Sequence, residues 1–215
     1  MPTRLALFDL DNTLIDRAGG FRSWARAFVA ARALGRDDEV SWLEAADGDG
    51  FVSRLEFLER VRSRYALAEP VEELLAAYRS DYSGRLPPLA EETGAALRRL
   101  RAAGWKLGIV TNGEPTQEQK ILASGLDELV DGWVVSELVG ARKPEPEIFR
   151  AAAKACGCAL DGAYVVGDNP EADIGGAIAC GLPSVWIARG REWGEAAYRP
   201  TFVAGSVAEA VSHIV

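Results

Sequence analysis

Four times in this chain a helical pattern stops at a glycine and leads towards a short apolar run, and that alternation limits the possible folds more than any other feature. The helical stretches cover 92–103 before Gly104, 116–124 before Gly125, 146–156 before Gly157 and 171–180 before Gly181. Glycine just past a helix supplies the left-handed residue that closes it. The apolar runs fall at 5–8, 107–110, 133–135, 164–166 and 184–188. Short unbroken apolar strands separated by helices describe a sheet covered on both faces, which predicts a doubly wound parallel α/β fold.

Residues 16–87 break the rhythm. Phe21, Trp24, Ala25, Phe28 and Val29 repeat at helical spacing, as do Leu55, Leu58 and Val61, then Leu74, Leu75 and Tyr78, and no strand pattern intervenes. The prediction is a core built from 1–15 and 88–215 with a smaller all-helical domain, 16–87, inserted between them. Arg17-Ala18-Gly19-Gly20 and the 83–88 segment, Ser-Gly-Arg-Leu-Pro-Pro, read as hinges. The aromatic stripes read as the core of the insert.

Composition removes several kinds of chemistry. The formal charge of −8 is the wrong sign for holding nucleic acid through phosphates. No apolar run approaches the roughly 20 residues that cross a bilayer, and MPTRLALFDLDN lacks the form of a secretory signal, so the expectation is a cytoplasmic protein without membrane or nucleic-acid partners. Three cysteines, Cys156, Cys158 and Cys180, form neither a CxxC pair nor a disulfide framework. The only histidine is His213, so histidine-based catalysis is hard to build. Gly108 to Gly113 has the glycine spacing of a phosphate-binding P-loop, but Glu114 stands where lysine is needed. Any catalysis must run on carboxylates.

In open α/β sheets, ligands bind beyond the carboxyl ends of the strands. The residues there are Asp9, Asp11, Thr111, Asn112, Asp168 and Asp173, with Lys143 before a later helix. Asp9 and Asp11, two apart on an extended segment, share a face. With Asp168 they make the hard oxygen set that Mg2+ prefers. Lysine occurs only at 106, 120, 143 and 154 against a background of arginine, so Lys143 is not incidental; its ammonium would neutralise a phosphoryl oxygen. Thr111 and Asn112 precede a helix starting near Pro115 or Thr116, with Gln119 placed for a capping box, and would offer a hydroxyl and backbone N–H groups to a phosphate.

These segments closely resemble the haloacid dehalogenase superfamily. FDLDNTL is similar to its first motif, VTN to the second, RKPEPEIF to the third and VVGDNPEAD to the fourth, and the helical insert falls where the family's C1 cap belongs. The resemblance implies a Rossmann-like core and a Mg2+-dependent phosphatase acting on a small phosphate ester. Asp9 would be the nucleophile that forms an aspartyl-phosphate, and Asp11 the general acid and base. Thr111, Asn112 and Lys143 would bind the phosphate. Asp9, Asp168 and the main-chain carbonyl of Asp11 would hold the metal, with Asp173 supporting them from behind. A 2-haloacid dehalogenase would share the fold without needing Asp11; a phosphomutase would return the phosphoryl group; a non-catalytic binding protein would be expected to have lost a motif residue, and none is lost. The substrate stays open among phosphoglycolate, sugar-phosphate, acylneuraminate-phosphate and nucleotide classes, and the assembly between monomer and homodimer.

Within the insert, Asp47-Gly48-Asp49-Gly50-Phe51-Val52-Ser53 and Glu56 look like a calcium-binding EF-hand loop, but Ala45 stands at its first ligand position. The reading preferred here is an interhelical turn. Arg22, Arg54 and Arg60 are candidate contacts for a polar substrate.

Overall fold

The computed structural model describes residues 4–34, 38–194 and 197–215. The first half of the chain runs β1 (Arg4–Phe8), α1 (Arg17–Ala31), α2 (Glu39–Asp47), α3 (Arg54–Tyr65), α4 (Val71–Tyr82) and α5 (Glu91–Ala102). There follow β2 (Trp105–Thr111), α6 (Thr116–Ala123), β3 (Gly132–Val135), α7 (Ser136–Val139) and α8 (Pro146–Ala155). The chain ends with β4 (Tyr164–Gly167), α9 (Gly176–Ala179), β5 (Ser184–Ile187), β6 (Phe202–Ala204) and α10 (Val207–Ile214). It divides into two compact units, Met1–Ile15 with Pro88–Val215, and Asp16–Pro87.

In the larger unit the strands line up as β3-β2-β1-β4-β5-β6, every neighbouring pair parallel. β1 lies in the middle because Leu5 to Phe8 are all buried, as a strand packed on both faces requires. Leu5 and Leu7 join Val110, Val134 and Val165 in one cluster with Ile148, Phe149 and Ala152 of α8. The alternate residues Ala6, Phe8, Leu107 and Ile109 are also buried and point the other way. Helices α5 and α10, which pack on each other, keep Leu97, Leu100, Val207 and Val211 buried outside that cluster. The strand order grows one way from β1 through β2 to β3 and the other way from β4. Between β1 and β4 the direction of winding reverses, and such a point opens a crevice at the strands' carboxyl ends.

Three local expectations are corrected. The 171–180 helix is a wide π-helical turn over Pro170–Gly175 followed by α9, because the Asn169 side chain accepts from the N–H groups of Glu171 and Ala172 and sets the chain into that turn. β6 and α10 have no counterpart in the sequence reading. No side-chain capping bond starts α6, since its cap position is Pro115, which has no acceptor to offer.

Among the described residues the smaller unit has four α-helices around Phe21, Trp24, Phe28, Phe57, Leu58, Val61, Leu74 and Tyr78. Trp24 meets Phe28 at 5.0 Å and Tyr78 at 4.9 Å between ring centres, so the aromatic stripes are core. Leu55, expected in the stripe, is exposed, and Phe57 takes the inward position. Arg17 to Gly20 form the first turn of α1 instead of a hinge, since Asp16 Oδ1 accepts the N–H of Gly19 at 2.8 Å and starts the helix there. The Ser83–Arg85 part of the other expected hinge is a 3₁₀ turn.

Candidate active site

Asp9 follows β1 directly, and its N–H still bonds Val166 O at 2.8 Å, so its position is fixed by the sheet. Asp168 follows β4 across the switch point. Asp173 comes from the π-helical turn, where its Oδ2 accepts the N–H of Asn169 at 2.9 Å. Gly167 is what admits it: a Cβ there would fall on the Asp173 carboxyl. One oxygen from each of Asp9, Asp168 and Asp173 lies within 4.8 Å of the others, and all three residues are buried.

Lys143 enters from the loop before α8 and is 4% exposed. Its ammonium donates to Asp9 Oδ1 at 2.6 Å and to Asp173 Oδ1 at 2.7 Å. Asn112, expected to face a phosphate, uses its side chain differently: Nδ2 donates to Lys143 O at 3.0 Å and Oδ1 accepts the Lys143 N–H at 2.9 Å. It thereby anchors the lysine's backbone at the end of β2. Thr111, one residue earlier, is buried and accepts from Gln117 Nε2 at 2.7 Å.

Burial pushes the Asp9, Asp168 and Asp173 carboxyls above the usual range, with Lys143 opposing the shift at Asp9 and Asp173. Asp168 rises to about 6, through burial first and the charge of Asp9 second, while Arg189 and Arg191 pull it down. Burial alone would depress the Lys143 ammonium, but the charges of Asp173 and Asp9 outweigh it and raise the pKa.

The Asp11 carboxylate stands apart from this trio. Lys120 Nζ donates to both of its oxygens at 2.8 Å, and Gln117 Nε2 donates to Oδ2 at 2.8 Å. Sequence reasoning passed over Gln117, Lys120, Arg189 and Arg191. The two arginines donate to Asp168 Oδ2 at 3.0 and 3.1 Å, and Arg191 also reaches Asp168 O at 2.7 Å. The scarcity of lysine that singles out Lys143 applied equally to Lys120; the arginines carried no such signal among many others.

In the smaller unit the EF-hand resemblance dissolves. Asp47 closes α2 and is 1% exposed, with its Oδ1 held by Arg17 at 2.6 Å and Arg54 at 2.7 Å. Glu56 pairs with Arg60 at 2.6 Å and Arg22 with Glu44 at 2.6 Å. The three arginines singled out for substrate each have a carboxylate partner inside this unit.

The larger unit is thus a doubly wound sheet whose switch point carries a buried carboxylate trio threaded by Lys143. Residues 3–181 match the model of the haloacid dehalogenase-like hydrolase family, and the chain belongs to that family. Over 199 residues it is 31% identical to the glyceraldehyde 3-phosphate phosphatase of Pyrococcus abyssi, covering 87% of this chain and 82% of that one. It is 35% identical over 179 residues to the phosphoserine phosphatase of Thermus thermophilus, covering 81% and 71%. The HAD-hydrolase YfnB from Bacillus subtilis, solved bound to magnesium, superposes with a TM-score of 0.82 at 22% identity, covering 100% of this chain and 99% of that one, which shows the shared fold.

Proposed function

We propose that this enzyme hydrolyses a small-molecule phosphate monoester through an aspartyl-phosphate on Asp9. The observation that carries the reading is the position of Lys143, buried and 2.6 Å from Asp9, with Asp11 two residues further along the same segment. The phosphatase names of the similar proteins support it.

The donor set also fits a magnesium ion. Three buried carboxylates converge within 4.8 Å, with Lys143 as the one buried cation and Arg189 and Arg191 reaching Asp168 from its partly exposed side, and that density of hard oxygen suits Mg2+. Lys143 engages Asp9 Oδ1 and the arginines engage Asp168 Oδ2, which leaves Asp9 Oδ2 and Asp168 Oδ1 as the natural ligands, joined by the main-chain carbonyl of Asp11. Both Asp173 oxygens are engaged, by Lys143 and the Asn169 N–H, which suits a residue that supports the ligands instead of binding the ion. Magnesium held there would neutralise and orient the transferring phosphoryl group.

The chain's own residues do the rest. An Asp9 oxygen attacks phosphorus and the bond to the ester oxygen breaks, while a protonated Asp11 gives its proton to the departing alkoxide. Asp11 then takes a proton from water, the water oxygen attacks phosphorus, and Asp9 is released with inorganic phosphate. Lys143 neutralises charge on Asp9 and on the phosphoryl oxygens, and Thr111 with the N–H of Asn112 holds the phosphate. We read the helical unit 16–87 as the cap that gives selectivity, as a closing domain does.

Asp11 distinguishes this reading from a dehalogenase, which has no leaving alkoxide to protonate. The test uses p-nitrophenyl phosphate, whose leaving group departs unprotonated. The Asp11→Asn enzyme should give a burst of nitrophenolate, slow turnover and a phosphate adduct on Asp9 visible by mass spectrometry. No burst in Asp11→Asn together with turnover in Asp9→Asn would refute the assigned roles. A screen of phosphorylated metabolites with Mg2+, reading released phosphate, identifies the substrate, and release of inorganic phosphate separates hydrolysis from a mutase.

A further inference from the structure

We propose that Gln117 and Lys120 are positioning residues that lock the Asp11 carboxylate in place and tie it to the phosphate-binding hydroxyl of Thr111. The proposal rests on the reading of Asp11 as acid and base. The two residues are three apart on α6, so they share one helical face. Lys120 Nζ contacts both Asp11 oxygens at 2.8 Å, which fixes the plane of the carboxylate as a single contact could not. The Gln117 amide nitrogen has two hydrogens and uses one on Asp11 Oδ2 at 2.8 Å and the other on Thr111 Oγ1 at 2.7 Å. With Thr111 Oγ1 accepting that bond, its own proton is directed away from Gln117; the hydroxyl reaches Asn112 O only at 3.5 Å, a long contact that a phosphate oxygen would replace.

The backbone makes room for this clamp. Gly113 has φ +151, and a Cβ on it would meet Gln117 Cγ at 2.9 Å, so a side chain at 113 would push the glutamine off both partners. Gln117 is buried, and only 15% of the Lys120 side chain is exposed, so neither belongs to a solvated helix face. Through their bonds to Asp11 and Thr111 they act on turnover by way of the proton-transfer group and the phosphate hydroxyl.

The experiment compares kcat/KM, which ends at the first irreversible displacement, for phenyl phosphate and p-nitrophenyl phosphate with Mg2+ present. The phenyl ester releases a more basic oxygen and depends on an acid. In Lys120→Met the loss on phenyl phosphate should exceed the loss on p-nitrophenyl phosphate by at least about tenfold, and Lys120→Arg should recover most of it. Gln117→Leu should show the same preference and also raise KM by about fivefold or more, because Thr111 is released, whereas Lys120→Met should leave KM within about twofold. On an Asp11→Asn background, Lys120→Met should change kcat/KM by less than about twofold. Equal losses on both esters, or a Lys120→Met loss that multiplies in full onto Asp11→Asn, would overturn the proposal. Should Lys120→Met not fold, Lys120→Arg and Gln117→Leu decide the matter by the same comparison. If Asp11→Asn itself treats the two esters alike, the acid role is wrong and this assignment goes with it. If Asp11→Asn discriminates and Lys120→Met does not, only the positioning role fails.

Discussion

Each unit buries a charge cluster, and the two have opposite composition. In the helical unit one carboxylate, Asp47, faces two guanidiniums, Arg17 and Arg54. In the α/β unit one buried ammonium, Lys143, faces two carboxylates, Asp9 and Asp173, with Asp168 beside them held at Oδ2 by the partly exposed Arg189 and Arg191. The surplus of the first is absorbed locally: Arg54 lies over the rings of Tyr78 at 4.6 Å and Phe57 at 5.2 Å, and Arg17 over Phe21 at 5.4 Å. In the α/β cluster the cations on Asp168 are the partly exposed Arg189 and Arg191, so carboxylate oxygens within 4.8 Å of one another share a single buried ammonium. That convergence of hard oxygens suits a divalent cation, and we propose the α/β cluster as a binding site and the helical one as structure.

Chelation tests the contrast most severely. Exhaustive removal of Mg2+ should abolish turnover of p-nitrophenyl phosphate, and Ca2+, with its looser geometry, should inhibit. Restoring Mg2+ to about a hundredfold over its Kd should also stabilise the fold by roughly 2.7 kcal/mol, read as a rise in Tm. Full activity after chelation would revive the dehalogenase alternative.

Lys143→Met keeps length and removes the ammonium. The loss in kcat/KM should be at least about two orders of magnitude, roughly 3 kcal/mol. Lys154→Met, on the far end of α8, should change little; comparable losses would mean the wrong lysine has been placed in the site.

The matching change in the other cluster, Arg17→Met, should act on stability. Breaking a buried ion pair costs about 3–5 kcal/mol when a lone charge is left. Arg54 still holds Asp47, so about 2 kcal/mol is the expectation, measured by denaturant titration. Assayed well below its Tm, this variant should keep kcat within about fivefold. A loss as deep as that of Lys143→Met would erase the distinction between the clusters.

Burial of the α/β carboxylates should also make metal binding depend on pH. Asp168 titrates at about 6 and Asp9 is raised as well, both first of all by burial. A protonated carboxyl cannot ligate, so affinity for Mg2+ should rise with pH until both are ionised, by up to about tenfold per unit for each proton displaced. Calorimetry in buffers of different ionisation enthalpy should detect more protons released per ion at pH 6 than at pH 8. An affinity that is flat from pH 5.5 to 8 would show that the carboxyls are already ionised without metal.

Asp9 and Asp168 were legible in the sequence because each directly follows a strand, where ligand crevices of open α/β sheets form, whereas Asp173 lies in the turn beyond and was reached through the motif resemblance. The sequence could not say what each acid touches. Asp9 and Asp11 are neighbours in sequence, yet one faces Lys143 and the other Lys120 and Gln117. Such pairings are made by tertiary approach, not by spacing. β6 escaped notice because three residues are too short for any periodicity, and its register is set by Trp186 and Ile187 of β5. The hinge expected at Arg17 failed for a local reason: two glycines looked like a linker, but Asp16 capped the turn that contains them.

The smallest effect is expected from Arg60→Met. Arg60 and Glu56 are four apart on α3 with the acid nearer the N-terminus, the favourable order, and about half of each side chain is exposed. Water and salt screen such a pair, so its contribution is about 0.3–0.5 kcal/mol, near the limit of what a shift in Tm resolves. Arg60 also lacks what binds Arg54 to its place, a buried carboxylate and three ring faces. With both side chains about half exposed, Arg60 can leave Glu56 at little cost. Stability therefore should barely change, and KM reports the remaining role: a change under about twofold assigns Arg60 to the solvated face of α3, while a rise of tenfold or more with kcat preserved would show uniform substrate binding by this side chain.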